Sequence, residues 1–197
     1  MNKKSVAVLL AVLLVVGVAI GGTMAWLTPT PEPVKNVFTT GDVKLDLTET
    51  DTVDDADGNK TKDFQMIPGW TIEKDPKVTV QAISEACYVF VKAEKSSNFD
   101  EYMTYEIAEG WTELAENTGV YYKEIDVITN TDTTYGVIKN DTVNVKDTVT
   151  KEMMNGLTEA TYPTLTFKAY AIQLYKNNTE KFSVNEAWQN VSTQSNA

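Results

Sequence analysis

Among 197 residues, the groups able to do acid–base, nucleophilic or metal chemistry are 28 carboxylates, 17 lysines and one cysteine, Cys87; histidine and arginine are absent. These types exclude a good deal. A Ser–His–Asp triad, a Cys–His pair, an HExxH zinc site and an arginine finger each need a residue the chain lacks. A glycosidase needs two carboxylates across a cleft, and no local spacing singles out a pair. The run Asp51-Thr52-Val53-Asp54-Asp55-Ala56-Asp57-Gly58-Asn59 invites a calcium reading. With Gly58 at the sixth position of an EF-hand loop, an acidic ligand is required at Val53 and a glutamate at Phe64. Neither is there, so a solvated hairpin loop is the better reading. Cys87 sits in the most apolar stretch and reads as a small buried hydrophobe. There is no glycine-rich phosphate loop and no GxSxG elbow. The expectation is a non-enzyme with no catalytic residue, no cofactor and no metal.

Binding chemistry offers a little more. Trp26, Trp70, Trp111 and Trp188, with nine tyrosines, suit either a carbohydrate-binding face or core packing. Asn177-Asn178-Thr179 and Asn190-Val191-Ser192 match glycosylation sequons, at the frequency chance gives in a chain rich in Asn and Thr. A net charge of −11 repels a phosphate backbone and an anionic lipid surface, which argues against nucleic acid and against a membrane partner for the folded part. One cysteine excludes an internal disulfide framework.

Elements that position these groups begin after a targeting segment. Lys3 and Lys4 precede an apolar run from Val6 to Ile20, ended by Gly21-Gly22, and Thr23-Met24-Ala25 places small residues at the −3 and −1 positions of a cleavage site. A permanent anchor is the competing reading, since the apolar stretch counted on to Leu27 is about long enough to span a bilayer. No positive cluster follows it, which favours cleavage at Ala25–Trp26, with Trp26–Leu27 second. Removal leaves 172 of the 197 residues and a charge near −13, because two lysines depart. A domain of that size needs no disulfides to fold.

The rest reads as β-rich, in a chain that has 27 threonines and 22 valines in all. Pro29, Pro31 and Pro33 keep residues 26–34 extended. Val43 to Leu47 alternates apolar and polar, the period of a half-buried strand. Residues 48–63 read as a polar loop, and Pro68-Gly69 as a turn. Strands are expected at 77–81, 87–93, 120–125 and 165–174, and two short ones at 137–138 and 143–145 around an Asn140-Asp141 turn. Tyr88-Val89-Phe90-Val91 is apolar on both faces, which suits a central strand. Weak helical character lies at 99–105, a short helix at 148–157, and a terminal helix at 183–190 with Ser183 and Glu186 at capping-box spacing. The fold class is all-β: a jelly-roll-like β-sandwich with one or two short helices.

Three stretches carry a resemblance. The first is Gly21-Gly22-Thr23-Met24-Ala25-Trp26-Leu27-Thr28 with Val37-Phe38-Thr39-Thr40-Gly41-Asp42-Val43-Lys44-Leu45. The second is residues 67–80, beginning Ile67-Pro68-Gly69-Trp70, with Glu85-Ala86-Cys87-Tyr88-Val89-Phe90-Val91-Lys92. The third is Leu165 to Gln173 with Glu186-Ala187-Trp188. In these the chain resembles the TasA/camelysin family of Gram-positive proteins exported through a SipW-type signal peptidase, in its clostridial branch. The resemblance implies a structural subunit of biofilm-matrix fibres, secreted to the extracellular matrix or cell surface. Its implied partners are further copies of itself, the peptidase and an accessory matrix protein, with membrane contact only through the signal peptide before cleavage. It implies residues 1–25 as signal peptide, 26–38 as an extended donor or linker segment, and 39–197 as the sandwich.

In such fibres the N-terminal segment completes the sheet of the next subunit, which is strand addition. Val34, Asn36 and Phe38 then face one way and Val37 the other, making Val34, Val37 and Phe38 the expected interface. Burying Val34 and Phe38 contributes on the order of 1.5–3 kcal/mol each. Pro29, Pro31 and Pro33 lie two apart and remove donors from one side only, so residues 28–33 are expected to pair along one side or to act as a spacer. Metalloprotease activity described for some camelysins does not carry over, because no histidine is present. The alternative is a monomeric surface module binding carbohydrate or a host protein.

Overall fold

The computed structural model describes residues 43–50, 52–54, 60–61, 64–82, 84–126 and 130–194. The expected cleavage site at Ala25 and Trp26 and the expected interface at Val34, Val37 and Phe38 lie outside these residues.

Twelve strands form among the described residues: β1 (Leu45–Thr48), β2 (Val53–Asp54), β3 (Lys60–Thr61), β4 (Thr71–Glu73), β5 (Lys77–Val80), β6 (Cys87–Lys95), β7 (Met103–Ile107), β8 (Thr112–Glu113), β9 (Val120–Ile125), β10 (Thr133–Gly136), β11 (Ile138–Val145) and β12 (Leu165–Gln173). Three short helices join them: α1 (Phe99–Tyr102), α2 (Lys151–Asn155) and α3 (Val184–Gln194). The fold is an all-β sandwich, as the alternation of apolar residues leads one to expect.

One layer runs β12-β6-β9-β8, antiparallel throughout. The other is built from two ladders, β1-β5-β10 and β4-β11-β7. These ladders continue one another. Val137 N donates to the Pro76 carbonyl at 3.0 Å and Lys74 N to the Asp141 carbonyl at 2.8 Å, so β4 runs on into β5 and β10 into β11. The second layer is therefore β1, then β5/β4, then β10/β11, then β7. Between the pairs Lys77–Gly136 and Glu73–Thr142 the β10/β11 line carries two more residues than its partner. The excess sits at Asn140 and Asp141, whose φ values of 57° and 54° are left-handed. This corrects the expectation of two short strands around a turn. Asn and Asp tolerate left-handed backbone, and a bulge uses that tolerance without breaking the ladder.

The strand β6 explains the packing. Its odd residues Cys87, Val89 and Val91 face a core between the layers, shared with Val43, Leu45, Val78, Phe167, Ala169 and Ala171. Its even residues Tyr88 and Phe90 face a second core, which α3 closes with Ala187, Trp188 and Val191. An apolar run on both faces is thus a strand covered on both sides, at about 1.5–3 kcal/mol for each large side chain fully buried. The start of α3 is the capping box expected: Ser183 N donates to Glu186 Oε2 at 3.0 Å and Glu186 N to Ser183 Oγ at 3.4 Å. The helix expected across 99–105 stops at Tyr102, because Met103 to Ile107 pairs with β11 instead. The polar loop expected across 48–63 contains the β2–β3 ladder.

Candidate functional site

Hydrogen-bond parity shows what two of the four edge strands, β1 and β12, offer. In an antiparallel ladder, alternate residues exchange bonds with one neighbour and turn their backbone groups the other way. Gln81 N donates to the Lys44 carbonyl at 3.0 Å, so Lys44, Asp46 and Thr48 bond to β5. The N–H and C=O groups of Val43, Leu45 and Leu47 then point outward. Leu174 N donates to the Ala86 carbonyl at 2.7 Å, so the even residues of β12 bond to β6. The backbone groups of Leu165, Phe167, Ala169, Ala171 and Gln173 point outward in turn. Among the described residues neither edge has a second pairing strand, although Cα atoms of β1 and β12 approach within 8 Å. Two unpaired edges thus meet in a seam, with the side chains of Val43, Leu45, Leu47, Leu165, Phe167, Ala169 and Ala171 turned into the first core.

One end of the seam is fastened by charge. Glu49, directly after β1, accepts from Lys74 Nζ at 2.9 Å (Oε2) and 3.1 Å (Oε1). The same Nζ lies 5.9 Å from the ring centroids of Phe64 and of Phe167 in β12. One cation therefore touches both sides of the seam. Beside it Asp75, 3% exposed, accepts from Thr50 N at 3.0 Å, Thr50 Oγ1 at 2.7 Å and Lys77 Nζ at 2.7 Å. Burial alone raises the Asp75 carboxyl, but the hydrogen bonds from Lys77 and Thr50 together outweigh it and hold the group well below the usual carboxylate range.

The groups considered for chemistry are not assembled. Burial pushes the Cys87 thiol up to about 12, the state of an inert structural cysteine. Among the described residues no group of three or more acidic or cysteine side chains is placed to hold a metal ion. The three described tryptophans are scattered. Trp188 lies in the second core, Trp111 packs on the first and donates Nε1 to the Gly136 carbonyl at 2.8 Å, and Trp70 is exposed. A shared aromatic face is absent among them. The edges of β1 and β12 were readable as strands from alternation alone, but their parity and adjacency were not, since both depend on long-range pairing. Comparison of the chain with protein-family models, with curated proteins and with solved structures finds no match.

Proposed function

We propose that this chain is a secreted structural protein that self-assembles into matrix fibres, the N-terminal strand of one subunit completing the sheet of the next. The observation that supports this reading is the β1–β12 seam. Outward-facing donors and acceptors on both strands invite a further strand. The segment that would supply it, around Val34, Val37 and Phe38, precedes Val43 in the sequence.

Strand addition meets a geometric condition here. A strand inserted between two others holds them about 9.5 Å apart, twice the spacing of paired strands. Because β1 and β12 come closer than that, insertion has to part them or else use one edge alone. The alternative is a monomeric surface module, which would draw on the exposed ring of Trp70.

Negative-stain electron microscopy of two forms tests the reading. One begins at Trp26 and the other at Thr39. Filaments from the first and none from the second is the expected outcome. Filaments from both would move the interface elsewhere, and monomers from both, even after acidification to lower the charge repulsion, would favour the surface module.

A further inference from the structure

We infer that Val37 to Thr40 pair with the chain's own β1 as an antiparallel hairpin through Gly41-Asp42, and that this hairpin opens before the segment is donated to another copy. The consequence for assembly rests on the fibre reading; the pairing itself rests on the edge of β1.

That edge fixes the register. Lys44 gives its carbonyl to Gln81 N and its N–H to Ser84 Oγ, both on the β5 side, so Val43 and Leu45 turn their own N–H and C=O groups the other way. In a two-residue hairpin turn, the residue leaving the turn donates its N–H back to the carbonyl of the residue entering it. Val43 presents its N–H as such a turn requires. Type II′ carries glycine at its first central position, and Gly-Asp is a two-residue hairpin signal. Gly41-Asp42 stands directly before Val43. The turn therefore sets Thr40 opposite Val43, Thr39 opposite Lys44, Phe38 opposite Leu45 and Val37 opposite Asp46.

This register also sorts the side chains, because opposed residues share a face. Phe38 joins Leu45 and Thr40 joins Val43 on the side of the first core, to which Val43 and Leu45 belong. Val37 and Thr39 stand with the exposed Asp46 and Lys44 on the outer face. A slip of one residue would turn Phe38 out to solvent. None of residues 37–40 is charged, so the negative charge of the chain does not oppose the pairing.

Position favours a strand in cis. Lys74 ties Glu49, beyond the end of β1, to Phe167 of β12, whereas the hairpin uses Val43 to Asp46 at the other end. Parting the seam at that end leaves the tie whole. A two-residue turn also holds the segment beside its edge at an effective concentration of millimolar order or above, which a second copy in dilute solution does not match. Phe38 is the residue that strand donation places in the next subunit, and one ring cannot fill both places. The hairpin thus covers an edge otherwise open to indiscriminate pairing, and assembly exchanges the same element between copies, as in domain swapping.

Cysteine pairs test this in the chain from Trp26. Thr39→Cys with Lys44→Cys sets two thiols on opposed outward positions, about 4.5 Å apart between Cα atoms and within reach of a disulfide. Thr39→Cys with Asp46→Cys sets them on a diagonal, roughly 7–8 Å apart. Cys87 is buried and does not compete. With oxidised glutathione, the opposed pair should close intramolecularly at least about tenfold faster than the diagonal pair, where chain separation alone accounts for less than about twofold. The closed form should remain monomeric in sedimentation velocity, and dithiothreitol should restore filaments. Gly41→Val, which disfavours the positive φ of the turn and leaves Val34, Val37 and Phe38 in place, should shorten the assembly lag at least about threefold. Equal closure of the two pairs overturns the hairpin, whatever the filaments do. Filaments from the closed form overturn the requirement that it open. Filaments from no form, closed or reduced, overturn the fibre reading, and the two closure rates still decide the hairpin.

Discussion

The chain fastens its first strand and its last helix by opposite means. The end of β1 is held by ionic groups: Glu49 on Lys74, and Thr50 on Asp75 with Lys77. The body of α3 is held by packing, with the Trp188 ring 5.4 Å from those of Phe90 and Tyr170. Apolar packing is indifferent to pH and nearly so to salt, whereas a buried carboxylate fixed by hydrogen bonds depends on its charge. The side of the molecule proposed to accept a strand is thus the side that solution conditions can loosen.

The largest effect that separates the two regions is expected in the packed one. Phe90 is fully buried beneath α3, and Phe90→Ala should cost about 3–5 kcal/mol through lost transfer energy and the cavity left behind. Denaturant unfolding measures it, and a loss below about 1 kcal/mol would mean α3 is not the clamp described. Next is Asp75→Ala, which removes the carboxylate that accepts from the Thr50 N–H and hydroxyl and that pairs with the exposed Lys77 ammonium. It should cost about 1–3 kcal/mol near neutral pH.

The pH dependence of Asp75→Ala sharpens the contrast. The folded carboxyl titrates below its unfolded value near 3.8, so its contribution is whole above that value and is lost as pH falls below it toward the folded one. The gap between wild type and Asp75→Ala should therefore narrow below about pH 4, while the Phe90→Ala gap stays. Parallel curves for the two variants would contradict the division drawn here. The smallest effect belongs to Glu186, whose carboxyl is drawn down to about 2 by the Ser183 backbone N–H, then by Lys176 and the Ser183 hydroxyl. Its stabilisation likewise exists above the ordinary glutamate range and fades as pH falls toward 2. Glu186→Gln should speed hydrogen exchange in the first turn of α3 alone, leaving β6 and β12 unchanged.

Much of this division was legible from local pattern. Alternation at Leu165 to Gln173 marks the two faces of β12, and the apolar doublets of Tyr88 to Val91 mark a strand with a core on each side. Ser183 and Glu186 declare the start of α3. What local pattern could not convey is pairing between distant residues. Asn140-Asp141 has the composition of a turn, yet β4 and β7 on either side keep the line straight enough to be a bulge. Thr71 to Glu73 and Thr133 to Gly136 are too short to stand out, and become strands only because β11 and β5 lie beside them. Lys74, a lysine among many, owes its place to Glu49 and two phenylalanine rings 5.9 Å away. Of the expected interface, nothing in the described residues bears on Val34, Val37 or Phe38.

The order of attachments along β1 also determines how the domain meets tension. Among the described residues, a pull transmitted through the N-terminal segment meets Val43 first. It first loads the Lys44 contacts with Gln81 and Ser84, then the β1–β5 rungs from Leu45–Val80 to Thr48–Lys77, and last the Glu49–Lys74 and Thr50–Asp75 fastenings. The backbone rungs stand in front and the ionic anchor behind, so a pull along β1 reaches the Glu49–Lys74 pair only after the rungs have parted.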